Sequence, residues 1–150
     1  MSECPTPATP PVAILLSTCN GAAFLPELLT SLQAQTHRAW RLCWRDDGST
    51  DASRAVLAEF AAAEPRCDPF PTAPGPKLGA GPSFLALLRA ALPTLAPGTL
   101  IAFADQDDVW RAEKLARGVA ALAGVRGPAL ACARQTLVDA ALRPIGASPP

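Results

Sequence analysis

The stretch that decides the fold is LIAFADQDD at residues 100–108, an apolar run that ends in acidic side chains. Two earlier segments repeat this pattern. VAILL at residues 12–16 is followed by STCN, and WRLCW at residues 40–44 leads through Arg45 into DDGS. Short apolar runs bounded by polar turns are typical of strands buried in a parallel sheet. The sequence therefore predicts at least three such strands.

Amphipathic helices are predicted between these strands. Apolar residues recur at helical spacing in four segments, at Leu25, Leu28, Leu29 and Leu32, at Val56, Leu57 and Phe60, at Phe84, Leu87, Leu88 and Ala91, and at Leu115, Val119 and Leu122. Strands that alternate with helices form βαβ units. We therefore expect an α/β fold, with an open, mostly parallel sheet and helices on both faces.

Prolines mark the boundaries of the predicted domain. Residues 1–11 are predicted to be a flexible N-terminal tail, residues 12–140 one domain, and residues 141–150 a C-terminal tail. Residues 65–82 hold six prolines, so a strand at residues 68–72 would be confined to a sheet edge. Residues 130–133 and 137–138 are predicted to form a final strand or hairpin.

The composition of the 150 residues excludes several classes of protein. Thirteen basic and thirteen acidic residues balance, so there is no excess of positive charge for a nucleic-acid partner. The five cysteines form no CxxC pair, and His37 is the single histidine, which argues against a zinc cage. No apolar run approaches the roughly 20 residues that span a bilayer. Residues 1–5 lack the basic and apolar regions of a secretory signal, so we expect none in this sequence. We expect a location in the cytoplasm or at the inner face of the membrane.

Three polar clusters follow the predicted strands, at residues 17–20, 46–49 and 105–108. Ligands of open α/β sheets bind beyond the carboxyl ends of the strands, so we expect these clusters to share one rim. A plain turn with a helix cap explains residues 46–49 equally well. Residues 105–108 place three carboxylates in four positions, which favours Mg²⁺ or Mn²⁺ over a solvated acidic turn.

These motifs together resemble a known family. Asp105-Gln106-Asp107 resembles the DxD motif of GT-A-fold glycosyltransferases, and FADQDDVW at residues 103–110 is similar to family 2 members, notably bacterial rhamnosyltransferase-like proteins of surface-polysaccharide synthesis. RDDGSTD at residues 45–51 resembles the family's DDGS(T/S)D element, and residues 12–21 resemble its opening strand and nucleotide loop. The resemblance runs from about residue 12 to about residue 138 and implies a GT-A, Rossmann-like fold.

The resemblance also implies a donor site for a nucleotide-diphosphate sugar. Asp47 would accept a hydrogen bond from the nucleobase, and Ser17 would line the same pocket. Asp105 would lie beside the ribose, and Asp107 would ligate the divalent cation on the diphosphate. Asp46 and Asp108 complete the candidate set, Asp108 as a residue that orients a metal-bound water.

The chain also departs from the family pattern. Cys19 stands where the family usually has Tyr, and Lys77 stands where Asn usually begins the NxG element. Family members are usually much longer, and their second half supplies the acceptor site and the catalytic base. Asp139 is the only acidic residue after Glu113 and resembles a hairpin residue, so no catalytic residue is assigned. We expect a truncated chain, or half of a split enzyme, that binds donor but transfers poorly to its glycan or lipid-linked acceptor without a second chain.

Two alternatives stay open. The first is a non-catalytic donor-binding module. The second is a haloacid-dehalogenase-like phosphatase, in which Asp105 would be the nucleophile, although Lys114 is the only lysine downstream of the motif. A dinucleotide-binding GxGxxG reading of residues 79–84 fails because Phe84 occupies the third glycine position.

Overall fold

The structure, a computed structural model, describes residues 9–69 and 77–147. Most of the predicted tail at residues 1–11 lies outside this range. The helices and strands, numbered in chain order, are β1 (Val12–Thr18), α1 (Leu25–Gln33), β2 (Trp40–Asp46), α2 (Ser53–Ala63), β3 (Cys67–Pro69), α3 (Ala80–Ala91), β4 (Leu100–Ala104), α4 (Lys114–Leu122), β5 (Thr136–Val138) and β6 (Pro144–Ala147). A short 3₁₀ turn, Leu92–Thr94, follows α3.

The main sheet is parallel throughout, with strand order β3-β2-β1-β4. This order confirms the predicted α/β fold. The proline-containing strand β3 lies at a sheet edge, as predicted, and residues 70–72 of the predicted strand lie outside the described residues. Helices α1 and α2 contact each other, and α3 packs on β1 and β2. With this strand order, the right-handed rule for parallel crossovers assigns α1 and α2 to one face of the sheet and α3 to the other.

Packing explains why the apolar runs became strands. Val12, Ala13, Ile14, Leu15 and Leu16 of β1 are all buried, because β1 is an inner strand with helices on both sides. The four leucines at helical spacing in α1 are buried as well. On the other face of the sheet, Leu15 and Cys43 form a core cluster with the α3 residues Leu87 and Ala91.

The chain forms two compact units, the first reaching to Ala116 and the second beginning at Arg117. The second contains the antiparallel hairpin of β5 and β6. A hairpin was predicted here, but residues 130–133 form no strand. The segment 141–150, predicted to be a tail, contains β6, because the turn after β5 reverses the chain and allows a second strand to pair. None of the described helices is long and apolar enough to cross a membrane.

Candidate functional site

The three polar clusters meet at one rim of the sheet, as the sequence predicted. β1, β2 and β4 run in parallel and end side by side, so the loops that follow them are neighbours. Hydrogen bonds join the loops directly: the Asn20 N–H donates to Ser49 Oγ (2.9 Å), and the Thr18 hydroxyl donates to Gln106 Oε1 (2.6 Å). The rim is thus one connected surface.

Asp47 is buried at this rim and surrounded by donors. Its side chain is 3% exposed and forms an ion pair of 2.5 Å with Arg45. The carboxylate also accepts the backbone N–H groups of Leu78 (2.9 Å) and Gly79 (2.8 Å). Burial raises the pKa of Asp47, but the hydrogen bonds from Arg45, Leu78 and Gly79 outweigh it and hold the pKa below its ordinary value. Asp47 therefore ties the end of β2 to the start of α3 as a carboxylate.

A polar network lies beside the core cluster under α3, on the side nearer the rim. Ser17 and Arg45 lie two residues beyond Leu15 and Cys43, and strand alternation places them on the α3 face. Ser83 there lies one helical turn before Leu87. Arg45 donates to Ser83 Oγ, and the hydroxyls of Ser83 and Ser17 share a hydrogen bond of 2.5 Å.

This network fixes the predicted donor-site residue Ser17, whose side chain is half-buried. No role was predicted for Arg45 or Ser83 from the sequence. The available signal was a charged residue, Arg45, directly after the mostly apolar run at residues 40–44.

The contacts of Asp46 fit the interpretation of residues 46–49 as a turn with a helix cap. Its carboxylate accepts the Ser49 N–H at 3.2 Å and lies 3.7 Å from the exposed Arg54. Asn20, which has a left-handed φ of 52°, accepts the Thr50 N–H through its side-chain oxygen (2.8 Å). These hydrogen bonds therefore connect and stabilise the loops after β1 and β2. This leaves Asp46 a rim residue with a local structural role.

The acidic turn at residues 105–108 presents its carboxylates differently. The side chains of Asp105 and Asp107 are exposed, and that of Asp108 is half-buried. Burial raises the pKa of Asp108, Lys114 opposes this, and the charges of Asp105 and Asp107 raise it further, so the net pKa lies above its ordinary value. Three negative charges in one turn are more stable when a cation neutralises them.

The donor chemistry of this turn fits a hard divalent cation. In the described part of the chain, no three His, Cys, Asp or Glu side chains are arranged to hold a metal ion by themselves. Mg²⁺ and Mn²⁺ commonly need only one or two carboxylates, because water and substrate phosphates complete their coordination shell. Exposed Asp105 and Asp107 could form such an incomplete site.

Gln106, between these two aspartates, joins the acidic turn to the loop after β1. Its Oε1 accepts the Thr18 hydroxyl and the Cys19 N–H (2.9 Å), and its Nε2 donates to the Cys19 carbonyl (3.2 Å). From the sequence, Gln106 was predicted only to be the middle residue of the DxD motif. No local pattern reveals partners that lie 87 and 88 positions away.

Trp110, just after the acidic turn, packs into the protein. It is 4% exposed, and its backbone N–H donates to Ser31 Oγ of α1 (3.0 Å). Nearby, the buried Gln35 accepts the Leu115 N–H and donates to the Arg111 carbonyl. These contacts fix the segment after the acidic turn onto α1.

Asp139 lies in the hairpin of the second unit. One carboxylate oxygen accepts the N–H groups of Ala141 (2.9 Å) and Arg143 (3.0 Å), and the other pairs with the Arg143 guanidinium (2.7 Å). Hydrogen bonds from the Arg143 backbone and side chain hold the pKa of Asp139 below its ordinary value. The expectation that Asp139 is a hairpin residue is confirmed.

The comparisons with known proteins agree with this geometry. The model of glycosyl transferase family 2 matches residues 13–135. An uncharacterised glycosyltransferase from Nostoc is 36% identical over 107 residues, which cover 71% of this chain and 31% of the relative.

Two solved structures share the fold. Staphylococcus aureus TarS 1–349, solved with UDP, has a TM-score of 0.58 and 23% identity, over 75% of this chain and 32% of that solved chain. The mannosyltransferase PcManGT from Pyrobaculum calidifontis, solved with GDP-Man and Mn²⁺, has a TM-score of 0.62 and 22% identity, over 78% of this chain and 33% of that protein. The chain thus spans about a third of the length of these relatives.

Fold and rim together define a GT-A glycosyltransferase domain. The chain belongs to glycosyltransferase family 2. This membership sets aside the phosphatase alternative, because the family match spans residues 13–135 and so includes the acidic turn.

Proposed function

We propose that this chain binds a nucleotide-diphosphate sugar at the shared rim, with Mg²⁺ or Mn²⁺ at the acidic turn. The observation that carries the proposal is the exposure of Asp105 and Asp107 beside the loops that follow β1 and β2. TarS has been solved with UDP and with UDP-GlcNAc, and PcManGT with GDP-Man and Mn²⁺. These ligands support a nucleotide-sugar donor and a divalent cation.

The proposed roles follow from the positions of the residues. Asp107 holds the cation, Asp105 lies beside the ribose, and Asp108 orients a metal-bound water. Ser17 lines the pocket. Asp47 is the proposed acceptor for the nucleobase, in addition to the structural role that its three protein donors already give it.

Asp46 contributes to the rim of this pocket, through the turn that its carboxylate stabilises. The network of Arg45 and Ser83 keeps the Ser17 hydroxyl in one place while donor binds. A bound divalent cation supplies Lewis-acid stabilisation of the charge that develops on the departing diphosphate.

We further propose that sugar transfer needs residues beyond those described here, from a longer chain or from a second chain. The support is the engagement of Asp139 in its hairpin, which leaves the described region after the acidic turn without an assigned base. The acceptor would be a glycan or a lipid-linked glycan of cell-surface polysaccharide synthesis. The proposed location is the cytoplasm or the inner face of the membrane, which cell fractionation would test.

The experiment is calorimetric titration with UDP, GDP, CDP, ADP and dTDP, each with and without Mn²⁺. The variants are Asp107→Asn and, as a matched control, Glu59→Gln, which changes an exposed carboxylate on α2. We expect binding that requires Mn²⁺, at least a tenfold loss in Asp107→Asn and no change in the control. A folded wild-type chain that binds none of the five nucleotides would refute the proposal, and so would full binding by Asp107→Asn.

A further inference from the structure

The side chain of Gln106 forms a bridge between two loops of the rim. Within the acidic turn, Asp105 and Asp107 are exposed, whereas Gln106 is half-buried between them. Its amide pairs with both polar groups of Cys19, accepting the N–H at 2.9 Å and donating to the carbonyl at 3.2 Å. A third bond, from the Thr18 hydroxyl, is 2.6 Å long.

The loop after β1 is shaped closely around this bridge. A Cβ added to Gly21 would lie 2.3 Å from Gln106 Oε1 and 2.9 Å from Thr18 Oγ1. Both distances are far inside van der Waals contact, so a larger residue at position 21 would displace the amide. The same glycine donates its N–H to Ser53 Oγ at 2.8 Å, which ties the loop to the start of α2. Glycine is thus required here by space rather than by backbone angle.

We propose that Gln106 is a positioning residue, which sets the distance between the cation site and the nucleoside pocket. This inference rests on the proposed function, in which Asp107 holds the cation and Ser17, beside Thr18 at the end of β1, lines the nucleotide pocket. A nucleoside diphosphate contacts both parts of the rim at once. Its affinity therefore depends on their spacing, whereas a lone cation or a lone nucleobase contacts only one part.

Only an amide of this length satisfies both groups of Cys19. A glutamate has no N–H to donate to the carbonyl, and its charge would add a fourth carboxylate to the acidic turn. An asparagine is one methylene shorter and would not reach. Leucine would fill similar space without any hydrogen bond. We therefore expect Gln106→Glu, Gln106→Asn and Gln106→Leu all to break the bridge.

The first measurement needs no ligand. Hydrogen exchange followed by NMR should show faster exchange of the Cys19 amide in Gln106→Leu, about five- to tenfold, as expected for the loss of one hydrogen bond. Amides of the core strand β1, such as that of Leu15, should keep their wild-type rates. The control is Val109→Ala, which truncates an exposed side chain close to the same turn.

The second measurement separates positioning from general loosening. Three affinities are compared in wild type, Gln106→Leu and Val109→Ala. They are those for UDP with Mn²⁺ by calorimetry, for Mn²⁺ alone by electron paramagnetic resonance, and for uracil alone by NMR titration. GDP and its base are substituted if GDP is the nucleotide that binds. We expect Gln106→Leu to weaken the Mn²⁺-dependent nucleotide affinity about tenfold. The Mn²⁺ and uracil affinities should change less than twofold.

The outcomes are distinguishable. Unchanged Cys19 exchange in Gln106→Leu, or unchanged nucleotide affinity, would overturn the inference. An equal loss in all three affinities would also overturn it, because it would indicate a loosened fold. If wild type binds no nucleotide, the proposed function fails, and the positioning role fails with it even where the exchange result establishes the bridge. Gly21→Ala, which displaces the amide from the opposite side, should reproduce the pattern of Gln106→Leu.

Discussion

Asp47→Asn should destabilise the protein strongly, although it changes a single group at a predicted ligand site. Asparagine keeps the shape of the side chain but removes its charge, and Arg45, which is 4% exposed, would lose the carboxylate that neutralises it. The amide also presents N–H groups where the carboxylate accepts from Leu78 and Gly79. The variant therefore leaves a buried charge and at least one backbone donor without a suitable partner.

The expected magnitude follows from burial. Removing one partner of a buried ion pair costs about 3–5 kcal/mol, because the other charge stays buried and uncompensated. With a urea m-value of about 2 kcal/mol per molar, the midpoint of unfolding should fall by roughly 1.5–2.5 M. The neighbouring variant Asp46→Asn is the matched control. This substitution affects only a long hydrogen bond in the turn and a contact with an exposed arginine. It should therefore lower the free energy of unfolding by less than about 1 kcal/mol.

The assay is urea unfolding followed by circular dichroism. The double variant Arg45→Met/Asp47→Asn removes both charges and should be more stable than Asp47→Asn alone. Equal midpoints for Asp47→Asn and Asp46→Asn would refute this reasoning. A variant with wild-type stability that fails to bind nucleotide would show that Asp47 acts on the nucleobase alone.

Two further predictions concern stability away from the rim. Glu64 pairs with Arg66 at 2.7 Å, and the hydrogen bond from Arg66 lowers the pKa of Glu64 to about 2. Because this folded-state pKa lies below the ordinary 4.5, the pair should add up to about 3 kcal/mol to the free energy of unfolding above pH 4.5. That contribution should be lost as the pH falls toward 2. Chemical unfolding at several pH values should show this loss in wild type and not in Glu64→Gln, and parallel pH profiles for the two would contradict it. Leu87→Ala should cost about 2–5 kcal/mol by opening a cavity in the core cluster under α3. The control Leu85→Ala, on the exposed side of the same helix, should cost well under 1 kcal/mol in the same measurement, and equal losses would show that α3 does not pack as described.

The order of strands and helices could be predicted from the sequence because it depends on local patterns. A run such as VAILL at residues 12–16 is apolar enough to be buried on both sides, and the leucines of α1 repeat at the period of a helix. The shared rim also followed, since parallel strands end at the same edge of their sheet. The predicted strand at residues 130–133 was wrong because a short apolar run becomes a strand only where a partner strand pairs with it.

The partners of the rim residues could not be predicted, because each lies far along the chain. Ser17 meets Ser83 across 66 positions, and Gln106 meets Cys19 across 87. Nothing near Gln106 distinguishes a solvated amide from one that joins two loops. Such contacts depend on how the loops pack after the sheet has formed.

Asp46 and Asp47 show most clearly what the sequence determines and what only the tertiary structure decides. The sequence by itself determined that two adjacent carboxylates end β2 at the rim, and family resemblance suggested a donor site there. Only the tertiary structure decided that Asp47 is enclosed by Arg45 and the start of α3, while Asp46 stabilises a turn. The physical reason is that the docking of α3 brings the backbone N–H groups of Leu78 and Gly79 to the Asp47 carboxylate, whereas Asp46 accepts a hydrogen bond from its own turn.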